Sequence, residues 1–291
     1  MPRHSIADRT FTAVNAGVLI LIGLSMVYPL WYCLVLSISD PAHAGAGGLH
    51  LLPSGINLDA YRAILTDPGL THGYLNSLLR VLIAVPLSVF ASALCAYPLS
   101  RRNLPCRSGF TVAIIFTMLF SGGLVPTYLL YHQLGLLDNR LVYLLPGLIG
   151  AFNVILIKNH FQAIPESLHE AGEMDGASEW FIFFHVYLPL AKPILATVAL
   201  FNAIFHWNAW FDAMLYMTSE SKMVAQSFLQ RIVFEGSAEM AQSGAAERLA
   251  YVTPGSIKAA TVIITVVPLL LIYPFVQRHF TKGIMLGGVK G

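Results

Sequence analysis

Apolar residues run through this chain in long unbroken stretches, not in the alternating patterns of a half-buried strand or helix. Phe11 to Ser39 contains no charged residue, and neither do Val81 to Ser100, Ser108 to Leu137, Leu141 to Ile157 and Ala259 to Gln277. Pro193 to Met217 is interrupted only by Asp212. A bilayer core about 30 Å thick takes about 20 apolar residues in helix. The pattern therefore predicts an all-α integral membrane protein with six transmembrane helices, at about residues 11–39, 74–100, 109–131, 141–157, 193–217 and 259–277. Six spans put both termini on one side. Pro41 to Gly45 imitates a small-residue cleavage site, but a signal h-region is about 7–15 residues and the preceding apolar stretch is far longer. It reads as a retained first span. Prolines at 29, 86, 98, 126, 146, 268 and 274 punctuate the spans; they fit kinked packing and, together, a bundle bent around a pathway.

Composition agrees. Lys, Arg, Asp and Glu make up 11 % of the 291 residues, against roughly 25 % in soluble domains, too few to clothe a water-soluble fold of this size. A net charge of +2 with no basic run excludes a nucleic-acid-binding surface. Three cysteines, Cys33, Cys95 and Cys106, are an odd number and imply no disulfide framework. Orientation follows the positive-inside rule. One side collects Arg3, Arg9, Arg101, Arg102, Arg107, Lys158, Lys192, Arg278, Lys282 and Lys290, while the other holds fewer cations, mostly in long loops. Both termini are expected in the cytoplasm.

The loop from 158 to 192 is the most informative segment. Pro165 suits the first position of a helix, and Glu166 meets the positive end of its dipole. Leu168, Ala171 and Gly172 share one face of that helix; Glu166, Glu170 and Glu173 keep the other wet. Gly176 stands where a left-handed terminating residue is wanted, and Ser178 is placed to cap a second, apolar helix through Trp180, Phe181, Phe183, Phe184, Val186 and Leu188. This predicts a short acidic helix, a glycine hinge, and an apolar helix against the membrane face. Periodicity alone also fits an ordinary amphipathic connector.

Polar residues inside spans are costly and are functional candidates by default. In the fifth span Asn202, His206 and Trp210 recur at i, i+4, i+8, as do Asn208, Asp212 and Tyr216. Flat aromatic faces and planar hydrogen-bonding groups suit a saccharide path; interhelical hydrogen bonding is the competing reading. Asp212 lies about 28 Å along its span, level with Arg80, so the two either pair or snorkel separately. Arg80 and His206, if exposed, would suit an acidic saccharide. Tyr128 in the third span and Asn153 in the fourth complete the set. No phosphate-binding G-x-x-x-x-G-K-[ST] spacing occurs, so any ATP must be bound by another chain. No His/Cys metal spacing is present either, and each of the ten histidines reads as a packing or interface residue.

Glu170-Ala171-Gly172, Asp175-Gly176-Ala177, Phe183, Leu188-Pro189 and Pro193 resemble the EAA loop of ABC-importer permeases, with Gly172 where that family has Ala and Val186 where Ile is usual. Leu52-Pro53, Leu58, Tyr61, Asn76-Ser77, Trp207-Asn208 and the tail from Gln277 to Gly291 resemble the carbohydrate-uptake, maltose-type class. The segments 120–128, 206–213 and 226–231 are similar to its oligosaccharide and polysaccharide subgroup, which includes importers of pectic oligosaccharides and alginate. The resemblance implies a type I ABC importer permease fold forming a single transmembrane permease domain, residues 1–291, with a cytoplasmic coupling helix. Glu170, Ala171, Gly172, Asp175, Gly176 and Ala177 would couple to an ATPase, and Lys282, Gly287 and Lys290 of the tail (278–291) would contact it. It further implies a second homologous permease subunit in a heterodimer, two ATPase subunits carrying ATP and Mg, and a solute-binding protein that engages the outer loop around 222–258. The setting is the bacterial inner membrane, with membrane lipid as a further partner and no nucleic acid. This chain would itself be no enzyme and bind no cofactor; it would move an oligosaccharide or polysaccharide by alternating access. The rival reading is a proton-coupled secondary carrier of a small polar solute using Asp212 and Arg80, although no internal repeat supports one.

Overall fold

The computed structural model describes residues 6–40, 48–234 and 253–284, with side chains for 10–40, 48–234 and 253–272. Within those residues all regular structure is helical: α1 (Ile6–Ile38), α2 (Asp59–Leu65), α3 (Pro68–Ser100), α4 (Arg107–Leu119), α5 (Leu124–Gln133), α6 (Ala151–Ala163), α7 (Glu166–Met174), α8 (Glu179–Leu190), α9 (Lys192–Asn208), α10 (Phe211–Tyr216), α11 (Ala225–Phe234) and α12 (Pro254–Ile284). Single 3-10 turns lie at Arg140–Tyr143 and Glu220–Lys222, and α8 contains a π turn at Phe183–Tyr187.

The chain divides into two compact units. The first comprises Met1–Pro68 and Leu229–Val267. Here the end of α1 meets α2 through Ser37 Oγ and Tyr61 OH, 2.7 Å apart, and the Trp31 indole donates to Leu51 O at 2.9 Å. Thr253 caps α12, its hydroxyl accepting from Ser256 N–H at 3.2 Å. Thr261 and Thr265, both buried, return their hydroxyl protons to backbone carbonyls one turn back, the way a polar group is made tolerable in an apolar helix.

The second unit comprises Gly69–Phe228 and Pro268–Gly291. Its main core joins Ala93, Ala96, Tyr97 and Leu99 of α3, Val154, Ile157 and Phe161 of α6, Ile182, Phe183 and Tyr187 of α8, and Val198 of α9. Tyr97 is ringed by Tyr187, Phe183 and Phe161 at centroid distances of 4.9, 5.1 and 6.3 Å. Small residues at 93 and 96 allow that close approach. A second core near the other end of α3 gathers Leu136, Val142, Tyr143, Ala213, Tyr216, Met217 and Val224.

Among the described residues three helical stretches are long and apolar enough to cross a bilayer, Thr10–Ile38, Pro68–Ser100 and Pro254–Ile272; counting each of two bent pairs, α4 with α5 at 107° and α8 with α9 at 78°, as one span brings the number to five. Six were predicted. The difference is the stretch 141–157, which holds a 3-10 turn and then the 13-residue α6. Thirteen helical residues extend only about 20 Å. The third and fifth predicted spans are also interrupted, between Leu119 and Leu124 and between Asn208 and Phe211.

Candidate functional site

The loop between α6 and α9 forms as its sequence dictates. Pro165 (φ −55°) opens α7 with Glu166 in the first turn. Gly176, at φ +75°, ends it: Gly176 N–H donates to Glu173 O at 3.0 Å and Ala177 N–H to Gly172 O at 2.9 Å. That pair of bonds is a Schellman termination, whose left-handed residue favours glycine. Ser178 then accepts from Phe181 N–H at 3.3 Å and starts α8. One side of α8, through Ile182, Phe183 and Tyr187, is buried in the main core, while Trp180, Phe181 and Phe184 are exposed.

The orientation of α7 differs from the predicted one. Its buried side chain is His169, and Gly172 lies against Ile182 so closely that a Cβ would stand 3.0 Å from Ile182 Cγ1. Leu168 and Ala171, expected to share the apolar side with Gly172, are exposed, as are Glu170, Asp175 and Met174, the last 88 % exposed. α7 therefore presents a mixed acidic and apolar ridge outward from a firmly seated base. Sequence reading missed His169; its clue was the i, i+4 spacing to Glu173, which places an acceptor one turn away.

The intramembrane polar residues fall into two nodes. In the first, Asn202 Oδ1 accepts from Asn153 Nδ2 at 3.3 Å and Ser88 Oγ at 3.4 Å, and Asn202 Nδ2 donates to Val198 O at 2.8 Å. In the second, the buried Arg80 donates through Nε to His206 Nδ1 at 3.1 Å and through Nη1 to Asp212 Oδ1 at 3.1 Å, with Nη2 on the other carboxylate oxygen. Its guanidinium lies 4.6 Å over the Tyr143 ring. Arg80 and Asp212 thus pair, and neither snorkels. Arg80 and His206 are turned to each other and not exposed, contrary to the condition set for recognising an acidic saccharide.

Asn202 and His206 share a face as predicted, one turn apart on α9. The series Asn208–Asp212–Tyr216 does not hold, because α9 ends at Asn208 and the break resets the helical phase. Asn208 is exposed and bonds back to Ile204 O at 2.9 Å. Tyr216 packs against Tyr128 and Tyr131, and Trp210 stands edge-on to Phe211. Lys282 lies in the backbone of α12; Gly287, Lys290 and residues 235–252 of the predicted outer loop lie outside the described residues.

A clamp the sequence did not announce closes the far end of this unit. Asp138 accepts from Lys222 Nζ at 2.6 Å, Ser219 Oγ at 2.7 Å and Ser219 N–H at 2.9 Å. The Lys222 ammonium first, then the Ser219 hydroxyl and amide, hold its carboxyl well below the usual carboxylate range. Asn76 Nδ2 donates to Ser221 O and Met223 O, both at 2.8 Å.

Residues 69–285 match the family described as "Binding-protein-dependent transport system inner membrane component". The chain is 38 % identical over 287 residues to the polygalacturonan/rhamnogalacturonan transport system permease protein YtcP of Bacillus subtilis, covering 98 % of this chain and 99 % of that one. It is 30 % identical to the diacetylchitobiose uptake system permease protein NgcG of Streptomyces coelicolor, over 97 % and 90 % of the two chains. A chain from the crystal structure of a bacterial ABC transporter involved in import of the acidic polysaccharide alginate superimposes with a TM-score of 0.90 at 35 % identity, covering 96 % of this chain and 100 % of that one. The chain belongs to the inner-membrane permease components of binding-protein-dependent transport systems.

Proposed function

We propose that this protein is one of two transmembrane subunits of an ATP-driven importer of an oligosaccharide or polysaccharide, gripped by separate ATPase subunits at α7. The observation that carries the reading is the exposed, partly acidic α7 ridge, fixed at its base by His169 and Gly172 and followed in the chain by α8 and, across a 78° bend, by α9. Such a helix offers a motor a handle, and the rest of the loop offers it a lever. The proposal retains six membrane crossings with both termini and α7 in the cytoplasm, α6 completing the fourth crossing with a partner subunit around it. A homologous permease subunit completes the pathway, ATP and Mg reside on the ATPases, and the tail with Lys282, Gly287 and Lys290 reaches them. A solute-binding protein delivers the saccharide to the opposite face. The names of the relatives support a saccharide as cargo, and pectic and alginate relatives favour an acidic one. Among the candidate path residues, Asn208, Trp210, Tyr128 and Asp212 are the ones with surface to offer; Asn153, Asn202, His206 and Arg80 hold the wall behind them.

The test is reconstitution of the permease pair with its ATPases and binding protein in proteoliposomes, using trigalacturonate and an alginate trisaccharide as probes. Uptake of at least one should require ATP, and Glu170→Lys should reduce ATPase co-purification at least fivefold. Uptake driven by a proton gradient without the ATPases would refute the proposal, as would wild-type levels of ATPase on the Glu170→Lys complex.

A further inference from the structure

We infer that His169, Glu179 and Tyr97 form a polar strut, an imidazole–carboxylate contact followed by a phenol–carboxylate hydrogen bond, that joins α7 to α3 through Glu179, with His169 as a positioning residue for energy coupling. The inference rests on α7 being the ATPase-docking helix. His169 is 0 % exposed on a helix otherwise open to water. Its Nε2 lies 3.2 Å from Glu173 Oε1 and 3.6 Å from Glu179 Oε1. The other Glu179 oxygen accepts from the Tyr97 hydroxyl of α3. The imidazole also meets Tyr187 edge-on at 6.1 Å, inside the aromatic cluster around Tyr97.

Two features make the arrangement more than packing. His169 Nδ1 is buried with no hydrogen-bond partner, a cost that leucine, of similar bulk, would avoid. Histidine holds the position for what Nε2 contacts. The strut also bypasses the Gly176 hinge. Along the backbone, α7 reaches α8 only through that left-handed turn; through Glu179 it is tied at once to the first turn of α8 and to α3. A displacement of α7 then moves α3 with it instead of being absorbed at the hinge.

Coupling between ATPase closure and the membrane helices is reciprocal: while the strut holds, the bundle restrains the ATPases, and cutting it releases them. His169→Leu keeps the bulk and removes the imidazole nitrogen that faces Glu179, His169→Gln restores a donor near Nε2, and Tyr97→Phe cuts the far end. In the full complex, ATP hydrolysis without solute or binding protein should rise at least fivefold in His169→Leu and Tyr97→Phe. It should stay within twofold of wild type in His169→Gln, with ATPase co-purification unchanged in all three. The strut is overturned if both cutting variants keep wild-type hydrolysis in an intact complex, or if hydrolysis changes only in proportion to lost ATPase. A stoichiometric divalent ion in the wild-type complex, absent from His169→Leu by plasma mass spectrometry, would make the cluster a metal site and also overturn it. Failure of the broader reading is separate: there Glu170→Lys leaves the ATPases bound.

Discussion

Removing the carboxylate of Asp212 strands Arg80, whose side chain is 3 % exposed while that of Asp212 is 27 % exposed. Breaking a buried ion pair by deleting one partner costs about 3–5 kcal/mol, because the remaining charge stays desolvated. Water can enter from the Asp212 side, and Arg80 keeps the His206 nitrogen at 3.1 Å and the Tyr143 ring at 4.6 Å. Both effects place Asp212→Ala at the lower end, about 3 kcal/mol. For a unit of this size that lowers Tm by roughly 6–12 °C. Replacing both members, as in Arg80→Met with Asp212→Leu, removes the stranded charge and should recover most of the loss, since an apolar pair of similar volume often matches a buried ion pair. The assay is thermal unfolding of the complex in lipid nanodiscs at pH 7, followed by tryptophan fluorescence. A fall under 2 °C for Asp212→Ala, or a double variant no more stable than the single, would show that the pair does not hold α10 to α3.

Two further outcomes follow from the geometry. Gly172→Ala places a methyl 3.0 Å from Ile182 Cγ1 and 3.1 Å from Cδ1, an overpacking that should cost about 1 kcal/mol; Ile182→Val, which deletes Cδ1, should recover part of it in the same unfolding assay. Asp138 has a depressed carboxyl pKa in the folded state, so its clamp stabilises fully above the ordinary carboxylate pKa near 4 and weakens as pH falls toward the folded value. The Tm gap between wild type and Asp138→Asn should therefore be constant from pH 8 to 5 and shrink below pH 4; a gap that grows on acidification would contradict the clamp.

The α7–α8 loop was legible because each of its signals is local. Pro165, Gly176 and Ser178 act on backbone within a few residues of themselves; Gly176 and Ser178 do in the structure what their chemistry predicts, and Pro165 stands one place earlier than expected, at the N-cap, with Glu166 the first helical residue. The interruptions inside the third and fifth spans were not legible, since a run of apolar residues reads the same whether the helix is straight or bent. That failure carried into the site: the i, i+4, i+8 alignment of Asn208, Asp212 and Tyr216 assumed a continuous helix through Ala209 and Trp210. His169 was missed for a different reason. Burial of a histidine on an acidic helix depends on Tyr187, in the middle of α8, and on Glu179 across a turn, and neither contact leaves a periodic trace.

Both ends of the proposed transmission converge on α3. Tyr97 receives the α7–α8 loop at one end, Ser88 meets Asn202 of α9 in the middle, and Arg80 binds His206 and Asp212 at the other. Arg80 and Tyr97 are 17 residues apart (97 − 80 = 17), about 25 Å along the helix axis. Sliding α9 and α10 along α3 by even one turn would part the Arg80 and Ser88 contacts together, leaving a buried guanidinium without its carboxylate. Turning the helices as one body breaks none of them. If α7 is driven as proposed, its stroke is cheapest when α3 and α9 move jointly, and the polar residues of α9 would then contribute by forbidding slippage.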